Sequence, residues 1–171
     1  MQKRGFYGLM LYRPKTESNL GAIIRSAYNF EANFISTVGN RYHRQAFDTT
    51  NATNTIPLFH YHSLESWFES IPINCWLIPV EVNGAYSLEK FVHPERAIYI
   101  FGGEDLTLPK SILELPRSSS VRLDTRQCMN LASIASIVMY DRYLKGSMRF
   151  SFQPRGDYNP GNEKEGECHS L

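Results

Sequence analysis

The amino-acid sequence predicts an α/β domain built on a mostly parallel sheet with helices on both faces. Three observations carry the prediction. Strand-like runs rich in branched and aromatic residues alternate with segments of helical period, as in βαβ units. The last strong segment is a helix apolar around more than one side, which needs cover from two directions. At 171 residues and 42% hydrophobic composition, the chain has enough apolar material for one well-buried domain and too little length for two.

Taken in order, "GFYGLMLY" (5–12) reads as a strand. "SNLGAIIRSAYNFE" (18–31) reads as a helix, with Leu20, Ile23, Ile24 and Ala27 at i, i+3, i+4 and i+7 and Ser18 or Asn19 as the cap. "NFISTV" is a second strand, a polar stretch covers 48–55, and "IPLFHY" and a short helix at "SLESWFES" follow. "CWLIPVEV" reads as a strand that Pro79 should break or bulge, because proline removes a ladder donor. "AIYIF" is a strand, "LPKSILEL" a short helical turn and "SSVRLD" a last extended segment. In "MNLASIASIVMYDRYL", Leu131, Ile134, Ala135 and Val138 form one stripe and Ile137, Tyr140 and Leu144 another, so cover by the sheet and by a second subunit is expected. The tail from 147 to 171 is rich in Gly, Pro and charge, and its last dozen residues are expected to be disordered.

Composition excludes several classes. No run reaches the roughly eighteen apolar residues of a membrane span, and the N-terminus reads as a strand and not as a signal peptide. A cytoplasmic protein with no membrane partner is expected. Cys75, Cys128 and Cys168 are widely spaced with no CxxC pair, which argues against a disulfide framework or a cysteine zinc site. The net charge of +1 hides an asymmetry: residues 1–44 carry seven basic side chains against two acidic ones, leaving −4 for the rest. In "NRYHRQAF" (40–47), Arg41 and Arg44 interleave with Tyr42, His43 and Phe47, a pattern suited to a polyanion with stackable bases and equally to a solvated loop.

The stretch "IYIFGGEDLTLP" (98–109) raises the sharpest chemical question. Gly102 and Gly103 let a backbone bend close to a ligand at the end of a strand, where ligands of open α/β sheets bind. There is no GxGxxG opening a long helix and no GxxxxGK[ST], so neither a dinucleotide fold nor a P-loop is supported. Glu104 would repel phosphate and favour a ligand with an amine, hydroxyls or a positive centre, a description that S-adenosylmethionine fits. A plain structural bend remains the alternative for the turn taken alone.

Three stretches together, "NLGAIIR" (19–25), "FGGEDLTLP" (101–109) and "CMNLASIASIVMYDR" (128–142), resemble the three motifs of the SpoU-type branch of the SPOUT RNA methyltransferases in order and approximate spacing. The resemblance spans residues 5–146 and implies a SPOUT methyltransferase domain over 1–146, with a C-terminal extension over 147–171. It implies an alpha/beta knot fold, in which the C-terminal segment forms a trefoil knot, one of the exceptions to unknotted topology. It also implies a homodimer through the last helix, with S-adenosylmethionine as methyl donor, no metal, and RNA, either tRNA or rRNA, as partner.

Carried over by position, the resemblance places Val80, Glu81, Gly102, Gly103, Glu104, Leu123 and Cys128 at the donor site. Arg25, Asn19, Glu104 and Asn130 become the reaction-site residues, and Arg13, Arg25, Arg41 and Arg44 the RNA contacts. The implied reaction is methyl transfer to a ribose 2′-hydroxyl. A guanidinium stays protonated, so Arg25 suits holding a phosphate and the developing alkoxide, and proton abstraction by it stays open. Asn19 and Asn130 can orient the hydroxyl or the arginine, and Glu104 can position charge partners. Three positions depart from the family pattern: Cys128 for serine, Asp124 for proline and Thr107 for glycine. A catalytically inactive RNA-binding module keeping the fold is the second reading, and a nucleotide-dependent oxidoreductase a distant third. His60 and His62 would share a strand face but lack a third ligand for zinc. Trp67 and Phe68 read as core or interface aromatics, and Cys128 lacks a neighbouring histidine to make it a nucleophile.

Overall fold

The computed structural model describes residues 5–39 and 56–147. The basic stretch with Arg41 and Arg44, the polar segment after it, Cys168 and the C-terminal extension beyond residue 147 lie outside the described residues. The chain runs β1 (Phe6–Tyr12), α1 (Glu17–Asn29), β2 (Phe34–Val38), β3 (Leu58–Tyr61), α2 (Leu64–Phe68), β4 (Trp76–Val80), β5 (Tyr86–Ser87), a 3-10 turn (Leu88–Lys90), β6 (Arg96–Gly102), α3 (Lys110–Leu113), β7 (Val121–Arg122) and α4 (Leu131–Ser147). The strands form one sheet in the order β3-β2-β1-β6-β4-β7-β5, and every pair in it is parallel.

Period-two alternation divides the two central strands between two cores. Tyr7, Leu9 and Leu11 of β1 and Ala97, Tyr99 and Phe101 of β6 face the cluster that holds Ile23, Ile24 and Ala27 of α1 with Ala135, Val138 and Met139 of α4. Met10, Ile98 and Ile100 face the opposite cluster, closed by Trp67 of α2 and by Leu108 and Ile112 around α3. Helices therefore cover both faces, as a parallel sheet requires.

Two local expectations are corrected. Strand β4 is neither broken nor bulged at Pro79, because its register with β6 runs without interruption from Trp76↔Ala97 to Val80↔Phe101. Leu77 N–H and Glu81 N–H both donate toward the β7 side, to Arg117 and Val121, so alternation puts the missing donor of Pro79 on that same, sparsely paired side. Helix α1 begins at Glu17, with Thr16 and not Ser18 or Asn19 in the cap position. Thr16 makes no side-chain cap bond of its own, and Asn19 is buried inside the first turn.

On α4, Ile137, Tyr140 and Leu144 form an exposed face, while Leu131, Ala135, Val138 and Met139 are buried. Its charged residues hold the loop before β6. Arg142 is buried, donates to the carbonyls of Pro94 at 2.7 Å and Glu95 at 3.0 Å, and stacks on the Tyr7 ring. Asp141 pairs with His93 Nε2 at 2.7 Å and with Lys145 at 2.8 Å. No helix among the described residues is long and apolar enough to cross a membrane.

Candidate active site

A cleft of about 1060 Å3 opens beyond the carboxyl ends of β4 and β6. Three segments wall it: the loop after β4, the Gly102–Thr107 turn after β6, and the 122–129 segment leading into α4. All seven positions expected at the donor site, Val80, Glu81, Gly102, Gly103, Glu104, Leu123 and Cys128, line it. Val80, Phe101, Leu123, Leu131 and Ile134 give it apolar lining, while Arg122, Asp124, Arg126 and Gln127 give its polar rim.

The turn after β6 is tight because position 102 carries no side chain: a Cβ there would meet the Leu106 carbonyl oxygen at 2.5 Å. The loop after β4 depends on Gly84 in the same way, since a Cβ there would lie 2.2 Å from the Val121 backbone. Hydrogen bonds sew that loop to β7. Arg122 donates to the carbonyl of Gly84 at 2.9 Å and to Asp124 at 2.9 Å, and Ser87 Oγ donates to the other oxygen of Asp124 at 2.6 Å. Those two bonds hold the Asp124 carboxyl below its usual range. Asp124 therefore fastens chemically what a proline would stiffen.

Two carboxylates at the cleft titrate in opposite directions. Burial pushes Glu81 up, opposed by the Leu108 N–H that its carboxylate accepts at 2.8 Å. Burial would raise Glu104 too, but hydrogen bonds from its own turn, Thr16, Asn19 and Lys15 outweigh it and hold that carboxyl low. Glu104 Oε2 accepts the Lys15 amide at 2.8 Å, and Oε1 accepts the Thr16 hydroxyl at 2.8 Å and Asn19 Nδ2 at 2.7 Å. Negative charge is thus set at the N-terminus of α1, where the helix dipole favours it.

From Asn19 the network continues. Its Oδ1 accepts Asn130 Nδ2 at 2.9 Å, and Asn130 Oδ1 accepts the Ala132 amide at 2.8 Å, capping α4. The structure therefore joins Asn19, Glu104 and Asn130 in one relay linking the β6 turn to the starts of α1 and α4. Arg25 is exposed on α1, outside the residues that line the cleft. Arg13 sits before α1 with a left-handed backbone, φ 51°, its side chain against Gly39.

Sequence reasoning missed Lys15 and Thr16 as partners of Glu104, and Ser87 and Arg122 as partners of Asp124. No local signal could have found the partners of Glu104 or the Ser87–Asp124 pair, which are joined across 37 or more residues; only Arg122–Asp124 is local in sequence. His60 lies against Thr37, with Nδ1 2.7 Å from Oγ1, and His62 falls beyond the end of β3. Among the described residues no group of three His, Cys, Asp or Glu is placed to hold a metal ion. Trp67 is a core residue whose Nε1 donates to Ser36 Oγ at 3.1 Å.

The family model of the SpoU rRNA methylases matches residues 7–140, most of the chain and all three walls of the cleft. The chain belongs to the SpoU rRNA methylase family. Within it, a Mycoplasma pneumoniae protein assigned as a tRNA (cytidine(34)-2′-O)-methyltransferase is 25% identical over an alignment of 159 positions that covers 84% of this chain and 92% of that one. A structure determined for 2′-OH methylation of C/U34 on tRNA superposes with a TM-score of 0.74 at 19% identity, covering 85% of this chain and 99% of the other. The SpoU methyltransferase AviRb from Streptomyces viridochromogenes, in complex with AdoMet, superposes with a TM-score of 0.72 at 19% identity over 84% of this chain and 62% of AviRb. These structural likenesses establish a SpoU fold for the sheet and helices described above.

Proposed function

We propose that this SpoU methylase uses S-adenosylmethionine to methylate a ribose 2′-hydroxyl of RNA, either tRNA or rRNA. Nucleotide 34 of tRNA is the first candidate, the position assigned to the Mycoplasma pneumoniae relative. One observation carries the reading: the relay of Glu104, Asn19 and Asn130 pins three family motif segments around a single cleft.

The residues present fit the donor. The tight Gly102 turn brings backbone to the cleft, apolar side chains offer a surface for an adenine, and the half-buried Glu81 carboxylate suits a cationic group. When bound, the donor supplies a methyl group already activated on a sulfonium centre. Val80, Glu81, Gly102, Gly103, Leu123 and Cys128 would hold it. Asn19, Glu104 and Asn130 act as positioning residues, because their polar atoms are engaged with one another and with the helix starts. Arg25 holds a phosphate and the alkoxide developing on the ribose oxygen. Arg13, Arg41 and Arg44 add cationic contacts to the RNA backbone.

The reading extends to the assembly and the chain path. The exposed apolar face of Ile137, Tyr140 and Leu144 supports a homodimer through α4, which would bring Arg25 of one subunit toward the cleft of its partner. The close packing of the Gly84 loop on β7 supports a trefoil knot in the C-terminal part of a 1–146 SPOUT domain, with 147–171 as an extension. A cytoplasmic location goes with an RNA substrate. Incubation with labelled donor and total RNA, followed by mapping of alkali-resistant linkages, tests the whole. Label at a ribose of tRNA or rRNA is expected, and donor binding without any RNA label would favour the RNA-binding module instead.

A further inference from the structure

We propose that Phe6, Phe34 and Phe59, with Arg96 at one end, form a stacking platform for unpaired bases of the RNA substrate, remote from the cleft. The proposal rests on the methyltransferase reading only for the identity of that substrate. The four residues come from adjacent strands: Arg96 of β6 pairs with Phe6 of β1, Phe34 of β2 stands opposite Gly8, and Phe59 of β3 stands opposite Ser36, so the row runs obliquely across the strands. Ring centroids are 5.8 Å apart between Phe6 and Phe34 and 6.3 Å apart between Phe34 and Phe59, and the Arg96 guanidinium lies 4.8 Å above the Phe6 ring.

The row is fixed in place. The Phe34 ring lies on the backbone of Gly8, where a Cβ would come within 2.2 Å of it. Helix α2 is only five residues long, and Phe59 remains 48% exposed. Phe6, Phe34 and Phe59, together with Tyr61, Trp67 and Asn33, border a cleft of about 340 Å3 distinct from the one beyond β6. Asn33 is exposed, and its Oδ1 accepts the Tyr7 amide at 2.8 Å, which sets the direction of its NH2 group.

The chemistry favours nucleobases over an apolar peptide. Phe6 and Phe34 pack partly against the core beside Trp67, the rings meet at 35° and 63°, and the exposed Phe59 ring at the end of the row offers the π surface on which a base of any sequence can stack. The exposed guanidinium of Arg96 at the end of the row complements the phosphate that accompanies each base. An oriented carboxamide at the rim can hydrogen-bond a base edge, which an apolar side chain could not use. Arg96 and Gly102 stand at opposite ends of β6, roughly 20 Å apart along the strand, a span that one folded RNA bridges.

The test uses the full-length protein without donor and a fluorescein-labelled single-stranded RNA dodecamer. Phe59→Leu keeps apolar bulk and removes the ring, and it should weaken RNA binding about tenfold. Phe59→Trp should bind at least as tightly as the parent. Arg96→Gln should weaken binding severalfold and flatten its salt dependence. Calorimetric affinity for the donor should be unchanged in all three, which shows that each variant is folded. Phe59→Leu and Arg96→Gln binding RNA within twofold of the parent would overturn the platform and leave the face to a protein partner. No measurable binding of the dodecamer by the parent would overturn it as well. A parent that methylates no RNA would fail the methyltransferase reading separately, without altering the donor-free comparison.

Discussion

Asn19 donates to Glu104 at 2.7 Å across 85 residues of chain, and the same side chain accepts from Asn130 at 2.9 Å across 111. An asparagine that gives and takes at once is a joint between two segments rather than a surface group. Glu104→Gln should therefore act beyond the cleft: its amide can accept fewer of the donors from Lys15, Thr16 and Asn19. A loss of about 1–3 kcal/mol in urea unfolding is expected, together with weaker donor binding by calorimetry. The double variant Asn19→Ala/Asn130→Ala should fall short of the sum of the two single losses, because one bond is shared. Strict additivity would reject the joint.

Glu81 and Glu104 should leave opposite marks on stability against pH. Glu104 is held low when folded, so its contribution is present above the unfolded carboxyl value, roughly 4.3, and is lost as pH falls through the folded value. Glu81 is raised, so the folded state binds its proton more readily, and stability falls as pH climbs from that unfolded value through the folded one. Unfolding of Glu81→Gln followed across acid and neutral pH should lack this decline, leaving the variant at least as stable as the parent near neutrality, since glutamine still accepts the Leu108 amide. A variant that is less stable at neutral pH and keeps the decline would reject the assignment.

Arg25 offers a test of catalysis separable from folding. It is exposed on α1 and outside the lining of the cleft, so Arg25→Ala should keep the parental melting temperature and donor affinity. Methyl transfer should fall by about 10²–10³-fold, the range for removing one group that stabilises developing negative charge. Arg25→Lys should recover only part of the rate, because an ammonium cannot form the bidentate phosphate contact. Full turnover by Arg25→Ala would dismiss the role.

The exposed apolar face of α4 predicts the assembly state. Tyr140 is 53% exposed beside Ile137 and Leu144, so Tyr140→Glu should put a charge at the centre of the subunit contact. Sedimentation should show a dimer for the parent and a monomer for the variant at the same concentration. Methyl transfer should drop with the dimer if Arg25 serves the partner's cleft. A parent that sediments as a monomer at every concentration would remove this part of the reading.

The long elements were legible because their periods are physical: Leu20, Ile23, Ile24 and Ala27 repeat as a buried helix face must, and α4 showed its double stripe. The cleft was legible through three motif stretches, and Gly102 and Gly103 marked its turn. The two-residue strands β5 and β7 were less so, since so few residues carry no period. Pro79 misled because a sequence does not say which side of a strand its missing donor faces. The cap of α1 misled for a related reason: the carboxylate that serves it belongs to Glu104, 88 residues further along. Nothing in the local sequence marks Arg142 as buried, and the fold places it against the loop before β6.

The contact between Gly84 and the backbone of Val121 bears on how the protein is made. The loop after β4 packs on β7, yet 36 residues lie between Gly84 and Val121 and β6 must be laid down in between. A growing chain halted between β6 and β7 would hold most of its sheet and lack the third wall of the cleft. Competence to bind the donor should therefore appear late and in one step during synthesis, as expected of contacts between distant parts of a chain.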